Sequence, residues 1–180
     1  MTSLPTTPSQ TVGPFLHIGL IWDDGPYAVP LGTEGACWLR GRVLDGAGAV
    51  IDDALVEIWQ ADPDGHFDHP GSRPVRPGFR GFARSDTRSS EFALHTVVPG
   101  DVDDGLQAPH IDMSVFARGL LHRVVTRVYF PEHADRHRTD PVLAAVPPER
   151  RGTLIAARGN DGYVFDVHLQ GDSETVFFDV

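Results

Sequence analysis

Apolar residues along this chain fall into short stretches, either alternating with polar ones or running together, at 37–44, 54–60, 92–98, 110–116, 123–130, 162–169 and 174–180. A period of two puts successive side chains on opposite faces of an extended strand, so each stretch predicts a β-strand. Turn-forming pairs punctuate them: Asp45-Gly46, Asp64-Gly65, Pro99-Gly100 and Asp161-Gly162. Short strands at this spacing predict an all-β chain, folded as a single-domain β-sandwich. Helix is scarce. Asp140-Pro141-Val142-Leu143 offers a capping aspartate with proline at the first helical position, and Pro147-Pro148-Glu149-Arg150-Arg151 opens a second short candidate running to Ala157. Residues 1–15 read as an extended arm and 16–180 as the sandwich domain. The loops at 22–35 and 70–79 carry no legible pattern.

A length of 180 residues is enough to bury one core without disulfides or a structural metal. Fifteen basic residues stand against 25 acidic ones, for a formal charge of −10, and the basic residues are scattered. Such a surface is a poor match for nucleic acid or an anionic membrane. The lone cysteine, Cys37, has no internal partner; it reads as a small buried strand residue in a reducing compartment. Residues 1–15 have neither a basic start nor an apolar block, so they predict neither a signal peptide nor a membrane span, and the expected location is the cytoplasm.

Candidate chemistry gathers around His110-Ile111-Asp112. In a strand His110 and Asp112 share a face, the spacing by which two residues of one strand can share an ion, but an ion needs more ligands than two. His66, Asp68 and His69 lie in one loop and either supplement that pair or are simply solvated. Arg118 ends an apolar strand beside Gly119, which predicts a guanidinium at the sandwich rim, either holding an anion or paired with a surface carboxylate. Thr11-Val12-Gly13-Pro14-Phe15 by itself reads as the end of a tail. No serine-nucleophile elbow, His-Glu-x-x-His, phosphate loop or Cys-x-x-Cys occurs, and Gly46-Ala47-Gly48 reads as a turn between strands.

The segment Ala108-Pro109-His110-Ile111-Asp112 resembles the iron-binding strand of the intradiol ring-cleavage dioxygenases, whose pattern is arginine, proline, alanine, histidine, a hydrophobic residue and a second histidine. That family holds ferric iron with two histidines and two tyrosines on a β-sandwich. Here the second histidine position is Asp112. The stretch from Glu57-Ile58-Trp59-Gln60 to His66-Phe67-Asp68-His69 matches the approach to one tyrosine ligand, whose place is taken by Phe67. The other tyrosine follows a Pro-Gly pair, and in Pro99-Gly100-Asp101-Val102 its place is taken by Val102. Neither phenylalanine nor valine offers a lone pair, and Tyr27, Tyr129 and Tyr163 fall at no matching position. His110 is the ligand position that survives, so no metal is expected in this chain.

The resemblance extends from Thr7-Pro8-Ser9-Gln10-Thr11 to Thr175-Val176-Phe177-Phe178-Asp179. It implies an iron-free alpha subunit, in a hetero-oligomer whose homologous beta subunit carries the Fe(III). No catalytic residue is then expected here, but substrate-binding ones are: Arg118 toward a benzoate carboxylate, and Thr11, Gly13 and Pro14 lining the partner's pocket. Phe15 stands where relatives often carry tyrosine. The implied reaction is intradiol cleavage of a dihydroxybenzoate with O2 to a carboxymuconate, in the β-ketoadipate route of aromatic breakdown. Two rival readings remain open: a non-catalytic, transthyretin-like binding module, and a self-sufficient metalloenzyme built on His110, Asp112 and the 66–69 loop.

Overall fold

Residues 6–13, 15–102 and 105–180 are described by the computed structural model. Among the described residues ten strands form: β1 (Ala36–Gly41), β2 (Val43–Leu44), β3 (Leu55–Gln60), β4 (Phe82–Asp86), β5 (Phe92–Val97), β6 (His110–Phe116), β7 (Val124–Tyr129), β8 (Ala157–Arg158), β9 (Gly162–Val164) and β10 (Val167–His168). One four-stranded sheet runs β5-β1-β9-β8, a second runs β4-β3-β6-β7, and β10 pairs with β2. The inward residues of the two large sheets, among them Leu39, Phe92 and Leu94 from one and Val56, Ile58, Ile111, Met113, Val115 and Val128 from the other, make one buried cluster. This is the all-β sandwich that the alternation predicts.

Alternation is cleanest in β6, where Ile111, Met113 and Val115 are buried and Asp112, Ser114 and Phe116 point away from the core. The outer face so defined is not left bare. A second apolar cluster of Ala108, Tyr129, Leu143, Val146 and Leu154 covers one end of it. Its helical part is α3 (Pro141–Ala145), capped as expected by Asp140, which accepts from the N–H groups of Val142 and Leu143. The other short helices are α1 (Phe15–Gly19) and α2 (Ala134–His137).

Several expected elements differ. The stretch at 37–44 is two strands, because the N–H of Arg42 turns to Asp166 Oδ1 at 2.9 Å instead of continuing the ladder. The stretch at 162–169 breaks at the same place from the other side. There Gly41 lets the backbones cross: a Cβ at that position would stand 1.9 Å from the Phe165 carbonyl oxygen. The tail at 174–180 is not a strand; it holds an isolated bridge between Phe178 and Val125 and a hydrogen bond from Thr175 N–H to the His168 carbonyl. The second helix candidate is a 3-10 segment, Pro148–Leu154, consistent with two successive prolines and no amphipathic stripe. Strand β4 went unforeseen because Phe82-Ala83-Arg84-Ser85-Asp86 is mostly polar; its ladder to β3 is what makes it a strand. The turn at Gly46-Ala47-Gly48 is as expected, with Asp45 Oδ1 accepting from the N–H groups of Ala47 and Ala49.

Candidate functional site

Strands β6 and β7 pair antiparallel with His110 opposite Tyr129 and Asp112 opposite Arg127. All four side chains lie on the outer face, because inward positions alternate with them along both strands. Arg127 Nε donates to Asp112 Oδ1 at 3.0 Å, and its NH1 donates to Gln107 Oε1 at 2.7 Å. On the other side of β6, Trp59 of β3 stands opposite Asp112. Phe67 stacks on Trp59 with ring centroids 6.0 Å apart and planes 17° from parallel. Val102 is buried and bridges backbone to backbone with Gln107. The four positions expected from the sequence to match iron ligands, Phe67, Val102, His110 and Asp112, thus converge on one patch, linked through Trp59, Arg127 and Gln107.

The loop delivering Phe67 is built by one buried carboxylate, that of Asp62, while the Asp62 backbone carbonyl accepts from the N–H of Gly100 just before Val102. Asp62 Oδ1 accepts from the N–H groups of Asp64 and His66, and Oδ2 from that of Arg76. Gly65, at φ +82°, passes so close to Asp101 that a Cβ would lie 2.2 Å from its carbonyl oxygen. His66 and Phe67 are half-buried, whereas Asp68 and His69 are exposed. A cavity of about 320 Å³ opens here, lined by Trp59, Phe67, His69, Ser72 and Asp112.

His110 is buried, and its Nδ1 lies 2.7 Å from the Ala108 carbonyl oxygen, which makes Nδ1 the protonated nitrogen. Its Nε2 stands 3.8 Å from Asp112 Oδ1, outside hydrogen-bond reach. Burial, reinforced by the Arg127 guanidinium, pushes the imidazole pKa below its ordinary value, against the opposing pull of Asp112. Behind it the Tyr129 ring lies 5.7 Å away, and burial raises that phenol to about 12.

These residues do not fit a ferric ion. The ring of Phe67 and the methyls of Val102 have no donor atoms, and Asp112 is already engaged by a guanidinium. Among the described residues no group of three or more His, Cys, Asp or Glu stands close enough to hold a metal ion. The structure brings His69 and Asp112 to one cavity but completes no ligand set.

The rim positions form a second group. Arg118, just past the end of β6, pairs through Nε with Asp53 Oδ2 and keeps 65 % of its side chain exposed. Asp53 is largely buried, and its Oδ1 is without a hydrogen-bond partner. The N–H of Gly119 donates to Thr11 Oγ1 at 2.8 Å, so the arm passes beside Arg118. Gly13 is exposed, with open space where a Cβ would be. Pro14, the remaining expected pocket residue, lies outside the described residues.

Sequence reasoning missed Arg127, Gln107 and Asp53. A usable signal existed for Arg127: it is the one charge in Val124-Val125-Thr126-Arg127-Val128-Tyr129, at an outward position of an otherwise uncharged strand. Pairing β6 with β7 would have set it against Asp112. Asp53 lies in a loop, where the alternation that sorts strand positions gives no guidance.

Comparison with known proteins bears on this geometry. A family model described as Dioxygenase matches residues 28–171. The chain is 42 % identical to the protocatechuate 3,4-dioxygenase alpha chain of Burkholderia cepacia, with each chain covered in full. It is 32 % identical to the beta chain of that enzyme from the same organism, over 95 % of this chain and 78 % of the other. Among solved structures, the dioxygenase domain of a carbohydrate-binding fusion protein from Streptomyces superposes with a TM-score of 0.61 at 24 % identity, covering 92 % of this chain and 99 % of that one. That likeness speaks to the fold.

Proposed function

This chain belongs to the intradiol ring-cleavage dioxygenase family, and from that premise we propose that it works as the alpha chain of a protocatechuate 3,4-dioxygenase. The observation that carries the reading is a mismatch: a full-length likeness to an alpha chain coincides with a site in which two of the four ligand positions, Phe67 and Val102, have no donor atom and a third, Asp112, stands in place of a histidine. The fold is kept and the metal chemistry is not. A homologous beta chain then carries the ferric iron, and the two chains form a hetero-oligomer that opens 3,4-dihydroxybenzoate between its hydroxylated carbons with O2.

The contribution of this chain is to shape and charge the partner's pocket. Arg118 presents a planar fork suited to a benzoate carboxylate, and its exposure leaves that fork accessible. Thr11 and Gly13 run beside it, with Pro14 next in sequence. The apolar side chains that follow, Phe15 at 77 % and Ile18 at 63 % exposure, give the arm a greasy surface that a partner chain would cover.

The test is to produce the chain alone and together with the beta chain from its own genome, then measure bound iron and protocatechuate-dependent oxygen uptake. Iron and activity only in the joint preparation is the expected result. Stoichiometric metal and activity in the single chain would overturn the reading in favour of a self-sufficient metalloenzyme.

A further inference from the structure

We infer that Arg127 stands in for the metal at the vestigial cluster: its guanidinium neutralises Asp112 and closes the patch to cations. Three observations carry this. First, the register of β6 and β7 places Arg127 directly opposite Asp112, the position matching a ligand histidine. Second, the guanidinium is not merely near: Nε is bonded to Asp112 and NH1 to Gln107, and the side chain is only 19 % exposed. Third, among the described residues no other arginine stands within ion-pair distance of Asp112, His110 Nε2 at 3.8 Å lies beyond hydrogen-bond reach of it, and the nearby side chains Trp59 and Phe67 are apolar.

The physical logic follows from charge. A carboxylate on a half-covered face beside half-buried aromatic rings is stabilised by a counter-charge, and an ion could supply it. A tethered guanidinium supplies it permanently, without a ligand shell and without dependence on metal supply. It also spends the one anionic oxygen donor left in the cluster and adds a positive charge that repels an incoming cation. Two consequences separate this reading from a fortuitous ion pair: Arg127 and Asp112 depend on each other for stability, and restoring the missing ligands does not by itself restore iron while Arg127 remains.

Both are measurable on the full chain. The first experiment compares thermal midpoints of the wild type, Asp112→Asn, Arg127→Gln and the double variant. The expected result is that Arg127→Gln lowers the midpoint and that adding Asp112→Asn recovers at least half of the loss. Additive losses would overturn the pairing. The second introduces Phe67→Tyr, Val102→Tyr and Asp112→His, with Arg127 kept or changed to Gln. Both chains are loaded with ferric iron, and bound iron and the visible tyrosinate-to-iron absorption are recorded. At least a fivefold higher iron content, with the absorption band, is expected when Arg127 is replaced. Equal iron in the two, whether full or nil, would overturn the exclusion. Because the thermal cycle uses only conservative single and double changes, the inference stays testable if the ligand-restored chains fail to fold.

Discussion

The N–H of Gly119 donates to Thr11 Oγ1 at 2.8 Å, joining positions 108 residues apart in sequence. Gly119 sits at φ +90°, a left-handed turn that aims its N–H outward just after Arg118. The hydroxyl that receives it comes from the exposed Thr11. This hydrogen bond ties the arm to the backbone just after the rim arginine. Thr11→Val keeps the side-chain shape and removes the acceptor. In the assembled enzyme kcat/KM for protocatechuate is expected to fall about threefold to tenfold, the effect of one ordinary hydrogen bond. Thr11→Ser should stay near wild type. No change in Thr11→Val, together with full activity after deletion of residues 1–15, would show that the arm is only a tail.

Arg118 and Asp53 are expected to act as a pair. Asp53 holds the Nε end of the guanidinium and leaves its outer edge exposed. In the complex Arg118→Ala should lower kcat/KM for protocatechuate about tenfold to a hundredfold, the range for a charge-assisted carboxylate contact, while catechol, which lacks the carboxylate, changes little. Asp53→Ala should raise KM for protocatechuate with a smaller change in kcat, because the fork is still present but no longer aimed. Equal losses on both substrates would remove the carboxylate role. A silent Asp53→Ala beside a sensitive Arg118→Ala would remove only the positioning role.

How legible all this was in the sequence depends on which force sets each feature. Strands such as Leu55–Gln60 and His110–Phe116 announce themselves, because one face is buried and the alternation records it. The mismatch with the family's ligand pattern is equally plain, since Phe67 and Val102 lack donor atoms whatever their surroundings. What stayed hidden was set by register and crossing. The break at Arg42 depends on Asp166, far along the chain, and β4 is held by its ladder to β3 rather than by its own pattern. The pairing of Arg127 with Asp112 needed the alignment of two strands before either residue had a partner.

Asp140 carries more structure than a helix cap. Its buried carboxylate accepts from Val142 and Leu143 at the start of α3, from the N–H of Ala108 at 2.9 Å, and from the Tyr129 hydroxyl at 3.4 Å. It therefore ties α3 to the segment leading into β6, next to His110. Asp140→Ala loses the cap and leaves the Ala108 N–H buried without a partner, for an expected loss of about 2–4 kcal/mol. Asp140→Asn, which retains an acceptor oxygen, should lose about half of that or less. Urea unfolding of the two variants checks the difference, and a loss in Asp140→Ala below about 0.5 kcal/mol would mean that the loop finds other donors and acceptors.

Cys37 gives the chain an alkaline signature. It is half-buried on β1, and burial, with smaller contributions from Glu132 and Asp161 against the pull of Arg158, raises its thiol from 9.0 to about 11. The sign follows from linkage: the folded state resists deprotonation, so the contribution of the thiol to stability is complete below pH 9 and is lost as pH rises toward 11. All fifteen basic residues are arginine, so no lysine titrates in that window, and burial holds Tyr129 and Tyr163 above it. The thermal midpoint should fall between pH 9 and 11 more steeply in the wild type than in Cys37→Ser. At pH 8 the thiolate fraction is about a hundredfold smaller in the folded chain than for an ordinary thiol, so iodoacetamide should label folded Cys37 far more slowly than the urea-unfolded chain. Equal labelling rates in the two states would show that the thiol is neither shielded nor shifted.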